Sequence, residues 1–109
     1  GGSTMVSSGN AAHCLETEFA EFGINLDEEF AEAEKELCVQ PTPKKLLSEG
    51  SERILWASQE LGYRMKPMPK FINAEKCIKC GVCNLGCAEN ARWTSLDYLK
   101  EAHKNGAKI

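Results

Sequence analysis

Residues 77–87 read CIKCGVCNLGC, four cysteines within eleven positions of a 109-residue chain. Two further cysteines, Cys14 and Cys38, stand alone. Disulfides between neighbours two residues apart would close small, strained rings, whereas one metal centre needs several thiolates converging on a point. The crowding therefore favours a metal and a reducing compartment over a disulfide-stapled secreted domain. The spacing C-x2-C-x2-C-x3-C is complete at Cys77, Cys80, Cys83 and Cys87, and with it one tight loop can supply thiolates to a [4Fe-4S] cluster. Gly81 and Gly86 adjoin these ligands, where small residues let the loop wrap and turn backbone N–H groups toward the sulfides. Structural zinc more often uses two C-x2-C halves separated by a long spacer, and zinc on four thiolates remains the alternative.

Outward from the loop, composition narrows the partners. Thirteen basic against sixteen acidic side chains leave a formal charge of −3, with no electrostatic footprint for nucleic acid or an anionic membrane. No run approaches the roughly 18 consecutive apolar residues of a membrane span, and no signal peptide opens the chain. The expectation is a soluble, cytoplasmic protein. An apolar fraction of 42% suffices for one modest core, so a single domain over 1–109 is expected.

The flanks read as helices. Leu15, Phe19 and Phe22 recur at helical spacing before Gly23. Asn25 opens a second helix as N-cap, with Leu26, Phe30, Ala33 and Leu37 on one face and Glu28, Glu29, Glu32 and Glu36 on a solvated one. Pro41 and Pro43 break it, and a third helix over 51–62 carries Ile54, Leu55, Ser58 and Leu61. Trp56 and Tyr63 read as packing residues, and Met65 and Met68 as gap fillers in an extended connection. Thr94 and Asp97 resemble a capping box for a fourth helix, with Leu96, Leu99 and Ala102 facing inward and Gly106 as its stop. The terminal AKI reads as a strand beginning. His13 and His103 read as solvated histidines. The fold expected is mainly α: a small irregular domain of about four helices around a cysteine-rich cluster-binding loop.

Bacterial ferredoxins place a proline after the fourth cysteine of such a run and use two runs for two clusters. Here Ala88 follows Cys87 and there is one run, so one cluster is expected, its fourth ligand being Cys87, with Cys14 or Cys38 as the alternatives. The first ten residues, GGSTMVSSGN, are small and polar, the composition of a loop or of an expression scar ending before Met5.

CGVCNLGC followed by AENARWTSLDYLKEAHKNGAKI resembles a segment of the glucose-methanol-choline (GMC) flavoprotein oxidoreductases, especially the long-chain alcohol oxidase branch. There a CG-x-C-x-x-GC loop precedes a helix ending at a Gly-Ala pair. GGSTMVSSGN is similar to that family's GG-[ST]-[ST]-x-x-N loop, which lies against the flavin; Ser7 stands where the family has asparagine. The resemblance implies that residues 1–12 are a flavin-facing glycine loop, with Gly1, Gly2, Ser3 and Thr4 touching FAD. It also implies that the chain is excised from or inserted in a larger FAD enzyme acting on CH–OH donors. In that enzyme a cluster at 77–87 would relay electrons from reduced flavin to an external acceptor, and the remainder of the flavoprotein would be the partner. No G-x-G-x-x-G turn to seat a pyrophosphate occurs here, and the family's catalytic histidine has no counterpart. FAD would therefore be held mainly by other parts of the enzyme. A stand-alone ferredoxin-like subunit and a zinc-stapled structural module are the competing readings.

Overall fold

The computed structural model describes residues 2–108, which carry five α-helices and one short pair of strands. In chain order these are α1 (Ser3–Val6), α2 (Glu16–Glu21), α3 (Asp27–Glu36), β1 (Gln40–Pro41), α4 (Glu49–Glu60), β2 (Pro69–Lys70) and α5 (Leu96–Lys104). Helices α2 to α5 are the four expected from periodicity. One-turn α1 is additional, inside the glycine-rich stretch, and is closed by Met5 N–H donating to Gly2 O at 3.0 Å and Ser7 N–H to Ser3 O at 3.0 Å.

The caps follow the sequence in part. Asn25 Oδ1 accepts from Asp27 N–H at 2.7 Å, so it steadies the start of α3 from one residue beyond the expected position, Leu26 being the N-cap. Helix α4 begins earlier than expected because Ser48 is its N-cap, its hydroxyl accepting from Ser51 N–H at 3.1 Å. The capping box on α5 does not form: Ser95 is the N-cap, no side chain caps it, and Thr94 offers Asp97 its backbone oxygen. Gly106, at φ 91°, ends α5 as expected. No strand begins at Ala107 and Lys108; Ile109 lies outside the described residues.

What periodicity could not supply is the line on which these pieces meet. Residues 68–73, expected as part of an extended connection, gather three distant stretches. β2 pairs antiparallel with β1, Gln40 opposite Lys70 and Pro41 opposite Pro69. Asn10 bridges Lys70, and Ile72 bridges Arg92. Phe71 N–H donates to Gly9 O at 3.0 Å, and Trp93 N–H to Phe71 O at 3.1 Å. The buried core is correspondingly small: Phe71, Ile72 and Ala91, with Arg92 among them. Trp93 packs edge-on to both Phe71 and Tyr98, at ring separations of 5.9 and 5.1 Å.

Several side chains expected inside lie outside. Leu96, Leu99 and Ala102 of α5 are exposed, Trp56 and Tyr63 are 64% and 68% exposed, and Ile54 and Leu61 are exposed while Leu55 and Ser58 are half-buried. Helical periodicity reports that a face is apolar without saying what covers it. Here none of the described residues covers it fully. The accessible surface is 8577 Å², against about 6,000 Å² for a compact 12.0 kDa monomer. The radius of gyration is 16.6 Å, against about 13 Å for a compact chain of this length.

His13 is more engaged than a solvated histidine. Its ring stacks on Phe30 with centroids 4.0 Å apart, and its nitrogens lie 3.3 Å from Glu16 and 3.0 Å from Glu34. It joins α2 to α3. Partial desolvation pulls its pKa down, but hydrogen bonds and charge from Glu16 and Glu34 outweigh this and raise it above 6.5.

Candidate functional site

The two motifs at opposite ends of the sequence meet in space, and their junction is the candidate site. The glycine loop enters at Gly2, whose φ of 103° and ψ of 167° suit a residue without Cβ. A Cβ placed there would have nothing within 4 Å, so a bare stretch of backbone faces open space. Beyond α1 the chain turns at Ser8 (φ 56°) and Gly9 (φ 72°), and Asn10 N–H donates to Ser7 O at 3.1 Å.

The cysteine loop is launched by Asn73, whose Oδ1 accepts from Glu75 N–H at 3.0 Å and Lys76 N–H at 3.1 Å, a side-chain turn of the kind asparagine favours. Each cysteine spacer contains one residue of positive φ: Lys79 at 62°, Gly81 at 77° and Gly86 at 125°. A single 3-10 turn, Cys83–Leu85, lies between the last two. This turn packs against α1, and a Cβ on Gly86 would sit 3.8 Å from Met5 Sδ.

Two cations and one hydroxyl pair hold the glycine loop in place. Arg92 Nη1 donates to Thr4 O at 2.7 Å and Met5 O at 2.9 Å, and Nη2 lies 3.0 Å from Met5 Sδ. Lys70 Nζ donates to Ser8 O at 2.9 Å and to Asn10 Oδ1 at 2.8 Å. Thr4 Oγ1 and Ser95 Oγ are 3.2 Å apart. The carbonyls of Thr4, Met5 and Ser8 are thus engaged by residues 92 and 70.

Of the residues expected to touch flavin, Gly2 and Ser3 form that open edge, and Thr4 has its hydroxyl and carbonyl committed to Ser95 and Arg92. Gly1 lies outside the described residues. The bare backbone at Gly2 fits the flat face of a flavin ring, which requires close approach without a side chain.

All six cysteines are free thiols, with Cys80 exposed and Cys77, Cys83 and Cys87 half-buried. Among the described residues no group of three or more Cys, His, Asp or Glu stands close enough to hold a metal ion. The ligand type suits iron or zinc, and thiols attract one another weakly unless an ion draws them in. Cys87 Sγ takes another partner, accepting from Ala91 N–H at 3.2 Å.

Arg92, Lys70, Gly9 and Met5 were not singled out by the motifs. Arg92 left one signal, a guanidinium between apolar Ala91 and Trp93 close behind the cysteine run; Lys70 and Met5 left none.

Comparison with known proteins accounts for the whole stretch. The family model described as GMC oxidoreductase matches residues 1–109. Two proteins of Mycobacterium tuberculosis strains, each named an uncharacterized GMC-type oxidoreductase, are 32% identical over 123 residues, covering 100% of this chain and 19% of their own length. An uncharacterized protein of Methanocaldococcus jannaschii is 34% identical over 105 residues, covering 96% of this chain and 25% of its own. The chain thus spans about a fifth to a quarter of the length of these relatives. No solved structure matches it. Among the described residues, no helix is long and apolar enough to cross a membrane.

Proposed function

The chain belongs to the GMC oxidoreductase family, and from that premise we propose that it is the flavin-facing segment of a larger FAD-dependent enzyme oxidising CH–OH donors. The observation carrying this reading is the junction itself: the glycine loop and the exit of the cysteine loop are fastened by Arg92 and by Thr4 with Ser95. FAD, when bound, supplies the acceptor for a hydride from the carbinol carbon. This chain contributes the surface. Gly2 presents backbone that a ring can approach closely, while Arg92 and Lys70 engage the carbonyls of Thr4, Met5 and Ser8. The apolar faces of α4 and α5 suit burial against the remainder of the polypeptide, which would also seat the pyrophosphate.

The finer reading, a one-electron relay through a [4Fe-4S] centre on Cys77, Cys80, Cys83 and Cys87, rests on ligand type and spacing. The test is made on the full-length enzyme, purified without oxygen. FAD near one per chain, with visible absorption bleached by a primary alcohol, is expected. Absence of flavin, or flavin that no alcohol reduces, overturns the reading. Iron and acid-labile sulfide on the same sample decide the cluster: about four of each supports the relay, and stoichiometric zinc refutes it.

A further inference from the structure

Arg92 is the charged side chain buried among the described residues, only 5% exposed. A guanidinium removed from water normally requires a carboxylate partner, yet none of the ion pairs among the described residues includes it. Its Nε has no hydrogen-bond partner there either. The donors it does use go to Thr4 O, Met5 O and Met5 Sδ, all within the glycine loop.

Space for the guanidinium stem is made by that same loop. A Cβ on Gly9 would lie 2.9 Å from Arg92 Cδ, closer than side chains tolerate, and a tight 3.2 Å from Cγ. The backbone on either side of Arg92 is fixed by antiparallel contacts, Asn73 N–H to Ala91 O at 2.6 Å and Trp93 N–H to Phe71 O at 3.1 Å. The guanidinium is therefore anchored to the small core at one end and grips the loop at the other. Its charge, which no carboxylate among the described residues pairs with, is held against the carbonyls of Thr4 and Met5, which follow the open edge at Gly2 and Ser3 in the loop. In a water-poor setting such a charge favours negative charge on whatever that edge faces.

We propose that Arg92 is a positioning residue for the flavin: acting through the carbonyls of Thr4 and Met5, it fixes the glycine loop at the height the ring requires and biases that ring toward its anionic reduced form. The inference rests on the flavin-facing reading of the loop. Lys70 shares the fastening, at Ser8 and Asn10, but sits farther along the loop from Gly2.

The experiment compares full-length wild type, Arg92→Met and Arg92→Lys by FAD dissociation constant, flavin visible spectrum, midpoint potential and thermal unfolding. Loss of charge-assisted hydrogen bonds in Arg92→Met should weaken FAD binding roughly tenfold or more. The loop's release should shift the flavin bands. Loss of the charge should lower the two-electron potential by about 30 mV, a tenfold change in the reduced-to-oxidised ratio. Arg92→Lys keeps the charge but lacks the planar fork, so its potential stays near wild type while FAD binding weakens several-fold. Variants that unfold earlier but keep wild-type affinity, spectrum and potential overturn the proposal. Should Arg92→Met fail to fold, Arg92→Lys decides: unchanged FAD affinity refutes the positioning role. Wild type without FAD would sink the flavin-facing reading itself, a result distinguishable from flavin-loaded variants that behave as wild type.

Discussion

Gly9→Ala tests the packing of the junction most directly, because two separable costs fall on one added methyl. The first is conformational: Gly9 has φ 72°, and an L-residue with a Cβ pays about 1–2 kcal/mol in that region. The second is steric: the methyl would meet Arg92 Cδ at 2.9 Å, Arg92 Cγ at 3.2 Å and Ile72 Cγ2 at 3.4 Å. Overpacking of this kind costs about 1–3 kcal/mol. Gly23 is the internal control. Its φ is 74°, nearly the same, but a Cβ there has nothing within 4 Å, so Gly23→Ala bears the first cost alone. Hydrogen exchange in the full-length protein reads the difference locally, since the Phe71 amide donates to Gly9 O. A destabilisation of about 2–5 kcal/mol in Gly9→Ala accelerates exchange at Phe71 by on the order of 30-fold or more. Gly23→Ala leaves Phe71 unchanged. Equal exchange at Phe71 in the two variants would show that the Arg92 stem does not press on the glycine loop, and the account of the junction would fall.

Three further outcomes follow from the same structure. Cys87→Ala removes the acceptor for the N–H of buried Ala91 and should cost about 1–2 kcal/mol; Cys87→Ser retains an acceptor and should cost less, as exchange at Ala91 would reveal. Ser48→Ala removes the α4 cap and should cost about 1 kcal/mol in the first turn of that helix, whereas Thr94→Ala leaves α5 intact, because Thr94 makes no side-chain cap; comparable fraying of both helices would contradict this. The His13 ring should titrate above 6.5 by NMR, and Glu34→Gln should lower that value. With the folded pKa above the unfolded one, the contribution of His13 to joining α2 and α3 is fully present below about 6.5 and is lost as pH rises through the folded value. A titration at or below the ordinary value would refute the pairing.

Local rules located the helices because their causes lie within a few residues. The stripes of α2 and α3, the breaks at Pro41 and Pro43, the glycine stop at Gly106 and the glycine and cysteine motifs are all short-range signals. Cap details slipped by a residue or two at Asn25, Ser48 and Ser95, where several small polar residues compete for the same amides. The inward faces assigned to α5 and part of α4 failed for a different reason: an apolar stripe requires a partner, and none of the described residues covers Leu96, Leu99 or Leu61.

The sequence by itself determined the helical class, the family-like motifs at both ends and four thiols of metal-ligand spacing. Tertiary structure alone decided that the two ends meet and that Arg92 and Lys70 fasten the glycine loop. The physical reason is range. Helix formation and turn chemistry depend on neighbours in the chain, while the burial of a guanidinium against Thr4 and Met5, 88 and 87 positions away, depends on residues 68–73 drawing distant strands together.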